Sequence, residues 1–347
     1  MNIYSEEKYM GGINSNEALV KSSEEILQLA VGFQKSRVML SAFELGLFTA
    51  LGRNSLTSGD VAALLRTDTR ATERLLNALC ALGLVHKLND FFSNTPAGLR
   101  FLVKGEKDYL AGLEHISGLW NNWNNLTEAV KNSGKLSSEP LQRKSAEPLA
   151  SFIAAMHHWG AKRAPEVVSR LDLEDVSQVL DLGGGSGVYA MAFVRGGRGI
   201  TATVFDLPDV IPLTQQYINQ TDLSGRIDTV GGDYNIDELG NGYDLVFLSS
   251  VICVNSSKQN LALMGRVAKA LKTGGRVVIH DFVMDEDRSG PAFTALFALS
   301  MLLGTQSGDA YTESEIENWL KSAAFKNIHR VDSVGDLAML IGRKSLA

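Results

Sequence analysis

The sequence predicts an α/β protein in two parts, a doubly wound, Rossmann-like sheet on the C-terminal side and, before it, a mainly α-helical domain with winged-helix order. Three observations carry this. The run Val179-Leu180-Asp181-Leu182-Gly183-Gly184-Gly185-Ser186-Gly187 reads as a buried strand that breaks into a glycine turn and then a helix. After it, β-rich runs alternate with helical stretches as far as Phe282, which implies parallel strands joined by right-handed crossovers. Before it, helix, helix and hairpin follow a long apolar helix face.

The glycine turn predicts a nucleotide-type cofactor site. Glycines let the backbone adopt positive φ and let a ligand approach the main chain, and the helix from Val188 then directs its free N–H groups at that ligand. A dinucleotide fingerprint, G-x-G-x-x-G, fits poorly, because counting from Gly183 or Gly185 puts Val188 or Ala190 at its third glycine. Asp181, Gly183, Gly185 and Gly187 instead match D-x-G-x-G-x-G, which resembles motif I of the class I S-adenosylmethionine (SAM) methyltransferases. A carboxylate here repels a pyrophosphate and attracts a cationic amino group. Thr201 to Asp206 is the second strand, ending in an acid 25 residues after Asp181, where a carboxylate can accept from both ribose hydroxyls. Arg226 to Val230 is the third, followed by Gly231-Gly232-Asp233-Tyr234. Tyr243 to Ser249 and Gly275 to Phe282 are the fourth and fifth, with a helix over Asn260 to Leu271 between them. In such sheets ligands sit at the carboxyl ends of the strands, where these acids fall.

In the N-terminal part, Ile26 to Leu51 carries apolar residues at helical spacing, and Leu56-Thr57-Ser58-Gly59-Asp60 caps a helix running to Leu65. Thr69 caps the next, Arg70 to Leu82, and Val85 to Ser93 folds back around Asn89-Asp90 as a hairpin. A winged helix often binds DNA, but the second helix offers only Arg70 and Arg74, offset by Glu73, so dimerisation is the expected use. The apolar face of Ile26 to Leu51 is too hydrophobic to stay exposed on a monomer.

Composition agrees. With 347 residues, 45% hydrophobic and 21% charged, the chain reads as an ordinary soluble protein of two domains. A net charge of -6 argues against nucleic acid as the main partner. No apolar run approaches the roughly 20 residues of a membrane span. The start, Met1 to Asn16, is polar and unlike a signal peptide, so a cytoplasmic location is expected. Two cysteines, Cys80 and Cys253, make no disulfide framework, and no Cys/His cluster has zinc spacing, so no metal is expected.

The order of apolar helix, winged helix, helical linker, Leu-Asp-Leu-Gly-Gly-Gly-Ser-Gly, Phe205-Asp206-Leu207-Pro208 and Gly-Gly-Asp-Tyr resembles the plant-type O-methyltransferases, the group that includes caffeic-acid and acetylserotonin methyltransferases and bacterial small-molecule enzymes. The resemblance runs from about Ile26 to Arg343. It implies SAM as cofactor, a homodimer, a small-molecule substrate between two domains, and SAM contacts at Asp181, Gly183, Gly185, Gly187, Asp206, Leu207, Gly232, Asp233, Tyr234 and Ser249. Asp233 would accept from the adenine amino group and Tyr234 would lie against the ring. The domains it implies are 1–110 (dimerisation), 111–170 (a helical linker lining the pocket) and 171–347 (SAM binding).

The chain departs from that family at the catalytic motif. Where the pattern Leu-Ser-Asn-x-Leu-His supplies a general base, this chain reads Leu248-Ser249-Ser250-Val251-Ile252-Cys253, and Ala310 stands where the plant enzymes have an orienting glutamate. Asp281, after the fifth strand, matches the remaining acid. A phenol with pKa near 10 is mostly protonated at neutral pH, and a positioned base is worth about 10² to 10⁴ in rate. A thiol in an apolar pocket is a weak replacement. Candidate bases are therefore His157, preferred over His158 on the helix Ser151 to Arg163, His280 next to Asp281, and His115 near Trp120 and Trp123. Alternation along a strand sends His280 and Asp281 to opposite faces. Trp120, Trp123, Met156, Phe293, Phe297 and Met301 would suit a flat aromatic substrate.

The sequence thus predicts SAM-dependent methyl transfer to a small aromatic or polycyclic molecule, O-methylation by family default, catalysed with a weakened or relocated base. Two alternatives are a SAM-binding relative that catalyses a rearrangement or elimination, and a SAM-responsive regulator using its winged helix.

Overall fold

The computed structural model describes residues 20–132, 146–333 and 337–345, so the polar start at 1–16 lies outside the described residues. The chain passes from one compact unit to a second between Trp120 and Asn121.

The first unit holds α1 (Ser23–Val31), α2 (Phe33–Glu44), α3 (Leu47–Leu51), β1 (Leu56–Thr57), α4 (Ser58–Leu65), α5 (Thr69–Ala81), β2 (Val85–Leu88), β3 (Phe91–Asn94) and α6 (Pro96–Leu102). A capping box starts α4, in which the Thr57 side chain takes the Asp60 N–H and the Asp60 carboxylate returns to the Thr57 N–H. Helix α5 begins one residue before the expected point: Asp68, not Thr69, is the cap, because its carboxylate reaches the Ala71 N–H at 2.8 Å. The hairpin turns at Asn89, with φ of 53°, and β1 joins it as a third strand through β3. Leu47, Phe48, Leu51, Val61, Leu76, Leu79 and Phe92 form the core. Helix α1 buries none of its residues. Its Ile26, Leu27 and Leu29 are 59, 65 and 76% exposed, the apolar surface that the sequence expects a partner to cover.

Helices α7 (Leu113–Trp123) and α8 (Leu126–Lys131) precede the second unit's main body. That body comprises α9 (Ala146–Ser169), β4 (Gln178–Leu182), α10 (Val188–Gly196), β5 (Thr201–Asp206), α11 (Ile211–Asn219), β6 (Ile227–Gly231), β7 (Tyr243–Ser249), α12 (Ser257–Ala270), β8 (Leu271–Met284), α13 (Ala292–Gly304), β9 (Tyr311–Thr312), α14 (Glu313–Ser322), β10 (Phe325–Asp332) and β11 (Leu337–Lys344). The sheet order is β10-β11-β8-β7-β4-β5-β6, with β9 paired to β8. From β8 to β6 the pairs are parallel, as alternation with helices predicts, whereas β10 and β11 add an antiparallel edge that the sequence pattern did not announce.

Apolar residues on both faces of the sheet build two cores, one around Val179, Phe193, Phe247 and Met339 and the other around Leu180, Leu248, Met264 and Trp319. The chain leaves β4 first for β5 and later returns to its other side as β7. The crevice between the carboxyl ends of β4 and β7 is therefore the point where strand order reverses, and such folds bind ligands there. Among the described residues no helix is long and apolar enough to cross a membrane.

Candidate cofactor and methyl-transfer site

The glycine turn after β4 is built as its residues require. Gly183, Gly185 and Gly187 have φ of 68°, 56° and 74°, and Gly187 caps α10 from the left-handed region. A Cβ on Gly183 would lie 2.8 Å from Val251 Cγ2 and 3.7 Å from the Tyr234 ring, so these two side chains wall the turn closely. Side chains from three other elements pin the turn. Asp206 Oδ2, at the end of β5, accepts the Gly185 N–H at 2.7 Å, Thr214 of α11 donates to the Gly185 carbonyl at 2.6 Å, and His157 Nδ1 of α9 meets the Ser186 hydroxyl at 2.9 Å.

The acids expected to face the cofactor divide into two groups. Asp206 is half-buried, and its second oxygen accepts the Leu207 N–H at 2.7 Å; burial raises its pKa. Both oxygens keep lone pairs for further donors. Asp181, by contrast, is 1% exposed and accepts the Ala190 N–H at 2.9 Å, bracing the start of α10 instead of opening to the crevice. Burial lifts its pKa to about 7, with the Asp206 charge adding to the rise. Gly187 is likewise turned to packing, since a Cβ there would sit 3.3 Å from Val204 and 3.5 Å from Thr214. Gly232 donates its N–H to the Asp206 carbonyl at 2.9 Å, and Phe205 lies 2.6 Å from where its Cβ would be. Asp233 is half-buried and accepts the Asn235 N–H at 2.8 Å, while burial drives the half-buried Tyr234 phenol well up.

The Cys253 slot lies on a single 3-10 turn, Ile252–Val254, after β7. The turn is held by the buried amides Asn255 and Asn260: Asn260 Nδ2 donates to the Ile252 carbonyl at 2.9 Å, and Asn255 links Asn260 at 3.1 Å to Asn235 at 3.2 Å. The loop after α13 closes over it, with the Asp309 N–H donating to the Cys253 carbonyl at 3.0 Å. Cys253 is 3% exposed, and its thiol pKa is pushed well up by burial, with the charge of nearby Asp281 adding to the rise. A thiol so placed keeps its proton, which removes Cys253 as a base. Burial raises Asp281 to about 7, and its Oδ1 accepts the Phe282 N–H at 2.9 Å.

The unfolded Asp has a pKa of about 3.9. Between roughly pH 4 and pH 7 the unfolded chain has lost a proton that the folded Asp281 still holds, so this group makes stability fall as pH rises through that window. Asp281→Asn is accordingly expected to gain on the wild type between pH 5 and pH 8, by up to about 3 kcal/mol, since roughly two pKa units of the shift fall in that range at about 1.4 kcal/mol each. Denaturant unfolding at the two pH values checks this, and a gap that stays constant would contradict it.

The structure corrects the histidine candidates. His280 and Asp281 do leave β8 on opposite faces, but His280 is 0% exposed among Tyr189 and Phe247. Its two ring nitrogens are taken by Ser249 Oγ at 3.0 Å and Ser333 Oγ at 2.8 Å. Burial holds its pKa at about 3, so it stays neutral and acts as a brace for Ser249. His157 stacks on Tyr217 at 4.1 Å and lines a groove of about 650 Å³ between α9, α10 and α11. None of Asp181, Asp206, Asp233, Cys253 or Asp281 lines that groove.

The expected substrate residues are also divided. Trp120 belongs to the first unit, 6.5 Å from Phe33 and beneath the Arg37 guanidinium at 5.3 Å. Trp123 belongs to the second unit and is half-buried, like Met156 on α9 and Met301 on α13. Phe297 packs on Phe282 at 4.5 Å, with Phe293 completing the aromatic group 5.1 Å from Phe282. Ser186, Thr214, Asn255 and Asn260 were missed by the sequence reasoning. Only Ser186 had a signal, as the one side chain inside the glycine turn. Among the described residues no group of three or more His, Cys, Asp or Glu could hold a metal.

An acid-rimmed crevice with a glycine floor, walled by Val251 and Tyr234 at Gly183 and bordered by Ile153 at Gly185, fits the adenosyl and sulfonium parts of SAM. Such a site in such a sheet defines a SAM-dependent methyltransferase. An O-methyltransferase domain matches residues 125–326 and an O-methyltransferase dimerisation domain residues 27–104. The chain belongs to the O-methyltransferase family. It is 31% identical to the 3-hydroxy-5-methyl-1-naphthoate 3-O-methyltransferase of Streptomyces sahachiroi over 88% of this chain and 90% of that one. It is also 31% identical to the tetracenomycin polyketide synthesis 8-O-methyl transferase TcmO of Streptomyces glaucescens, over 94% and 98%. Among solved structures, PigF with S-adenosylhomocysteine (SAH) superposes with a TM-score of 0.86 at 26% identity, covering 93% of this chain and all of that one.

Proposed function

We propose that this methyltransferase methylates a phenolic hydroxyl on a small aromatic or polycyclic molecule, works as a homodimer, and does so without a histidine at the family's base position. SAM supplies an electrophilic methyl group. The protein's part is to align the acceptor oxygen with that carbon in line with the sulfur, and alignment is the larger share of catalysis in such a displacement. The substrate class is supported by the naphthoate and polyketide acceptors named for the two relatives. The homodimer is supported by the dimerisation domain and by the apolar residues that α1 leaves exposed.

The single observation that carries the proposal's chemical part is the Cys253–Asp281 pair. The thiol is held protonated by burial, no imidazole stands at that slot, and the neighbouring Asp281, raised to about 7, is only partly ionised at neutral pH. Preferred acceptors are then phenols acidified by a conjugated carbonyl, because they ionise near neutral pH by themselves. Asp206, Asp233, Tyr234 and Ser249 remain the residues we assign to the cofactor, with Phe297, Met301, Met156 and Trp123 assigned to the acceptor.

The test is SAH release from SAM in the presence of a phenol conjugated to a ketone or quinone carbonyl, such as 2-hydroxyanthraquinone. Turnover that rises with pH along the phenol's own ionisation is expected, and Cys253→Ala should keep at least about half of it. Loss of activity in Cys253→Ala by the 10² to 10⁴ typical of a removed base would refute the role given to the pair. Product formed without SAH would instead indicate rearrangement or elimination chemistry.

A further inference from the structure

We infer that His157 is a positioning residue of the cofactor turn, fixing the Ser186 hydroxyl and with it the glycine turn in the form that receives SAM. The inference rests on SAM occupying the crevice and is independent of which acceptor atom is methylated.

Helix α9 lies along the turn in register. Ile153 Cδ1 comes within 3.8 Å of the space over Gly185, His157 bonds Ser186, and Gly160 meets Val188, where a Cβ would be 2.6 Å from Val188 Cγ1. Residues 153, 157 and 160 share one helix face at spacings of four and three. The close Gly160–Val188 approach therefore sets how far His157 can reach.

The imidazole is held from its other side too. Tyr217 stacks on it at 4.1 Å, and Tyr217 and Thr214 are neighbours three apart on α11. The same helix face that steadies His157 thus also donates from Thr214 to the Gly185 carbonyl. Ser186 itself is 2% exposed, so its hydroxyl has little water to turn to if His157 is removed. A histidine stacked on Tyr217 with its Nδ1 on the Ser186 hydroxyl is arranged to hold the turn.

Calorimetric titration of the full chain with SAH tests this across wild type, His157→Ala, Ser186→Ala, the double variant and His157→Asn. Each alanine variant is expected to weaken SAH binding by about three- to tenfold, the usual range for one lost hydrogen bond. The double variant should be no weaker than the worse single, because both remove the same contact. His157→Asn, whose amide occupies the Nδ1 position, should bind within about twofold of wild type.

Wild-type affinity in His157→Ala, or additive losses with no rescue by Asn, would overturn the inference. If His157→Ala does not fold, Ser186→Ala and His157→Asn still decide it, since normal SAH binding by Ser186→Ala also contradicts it. A wild type that fails to bind SAH would count against the cofactor assignment itself, a separate result.

Discussion

Asp206→Ala is expected to raise the dissociation constant for SAH about a hundredfold or more. One oxygen of this carboxylate accepts the Gly185 N–H and the other the Leu207 N–H, both at 2.7 Å, and both are charge-assisted bonds. Bonds to a charged group are worth about 1.5 to 3 kcal/mol each. Losing the Gly185 bond frees the turn, and losing the carboxylate also removes the acceptor proposed for the ribose hydroxyls. Two such losses amount to about 3 to 6 kcal/mol, hence two orders of magnitude or more in affinity. Asp206→Asn should fall between, because an amide oxygen can still accept from one N–H. Calorimetry with SAH measures this, and a change below about fivefold would contradict the role given to Asp206.

Gly308→Ala should produce the largest effect of any glycine-to-alanine change among the described residues. A Cβ at 308 would overlap the Cys253 carbonyl oxygen and stand 2.6 Å from Thr305 Oγ1 and 3.0 Å from Val254 Cα. Backbone atoms cannot step aside as a flexible side chain can. The neighbouring Asp309 N–H bond to the Cys253 carbonyl would have to break as the loop lifts. Overpacking of this kind costs about 1 to 3 kcal/mol. It should also shift the turn that sets Cys253 against Asp281, so methyl transfer is expected to fall together with the denaturant midpoint. Unchanged stability and unchanged SAH release in this variant would refute the close loop-to-turn contact.

Much of the cofactor crevice was legible in the sequence because its requirements are local. A turn with φ above zero at 183, 185 and 187 strongly favours glycine, and an acid at the end of β5 falls where parallel sheets bind ligands. Period-two alternation likewise separated His280 from Asp281 correctly. What periodicity does not carry is depth. His280 and Asp281 are both fully buried, one neutral among aromatic rings and one beside a thiol, and that follows from how α10 and the 252–254 turn pack on the two faces of β8.

The same limit explains His157. Its place on α9 was readable, but its partner Ser186 lies 29 residues away, and the packing of α9 on α10, close at Gly160, brings them together. The antiparallel edge was missed for a different reason. Leu337 to Ile341 is buried on both faces and shows no alternation, while β10 is a mostly exposed edge strand with weak apolar patterning. Asp68 as the cap of α5 shows how closely two cap-forming residues in succession compete, with the longer reach of the carboxylate deciding between them.

The central claim is that the turn at 183–187 holds an adenosyl sulfonium, and titration of the purified full chain with SAH and, separately, with NADH tests it most directly. Saturable binding of SAH at one equivalent per chain with no heat from NADH is the expected result. Binding of NADH with none of SAH would contradict the account.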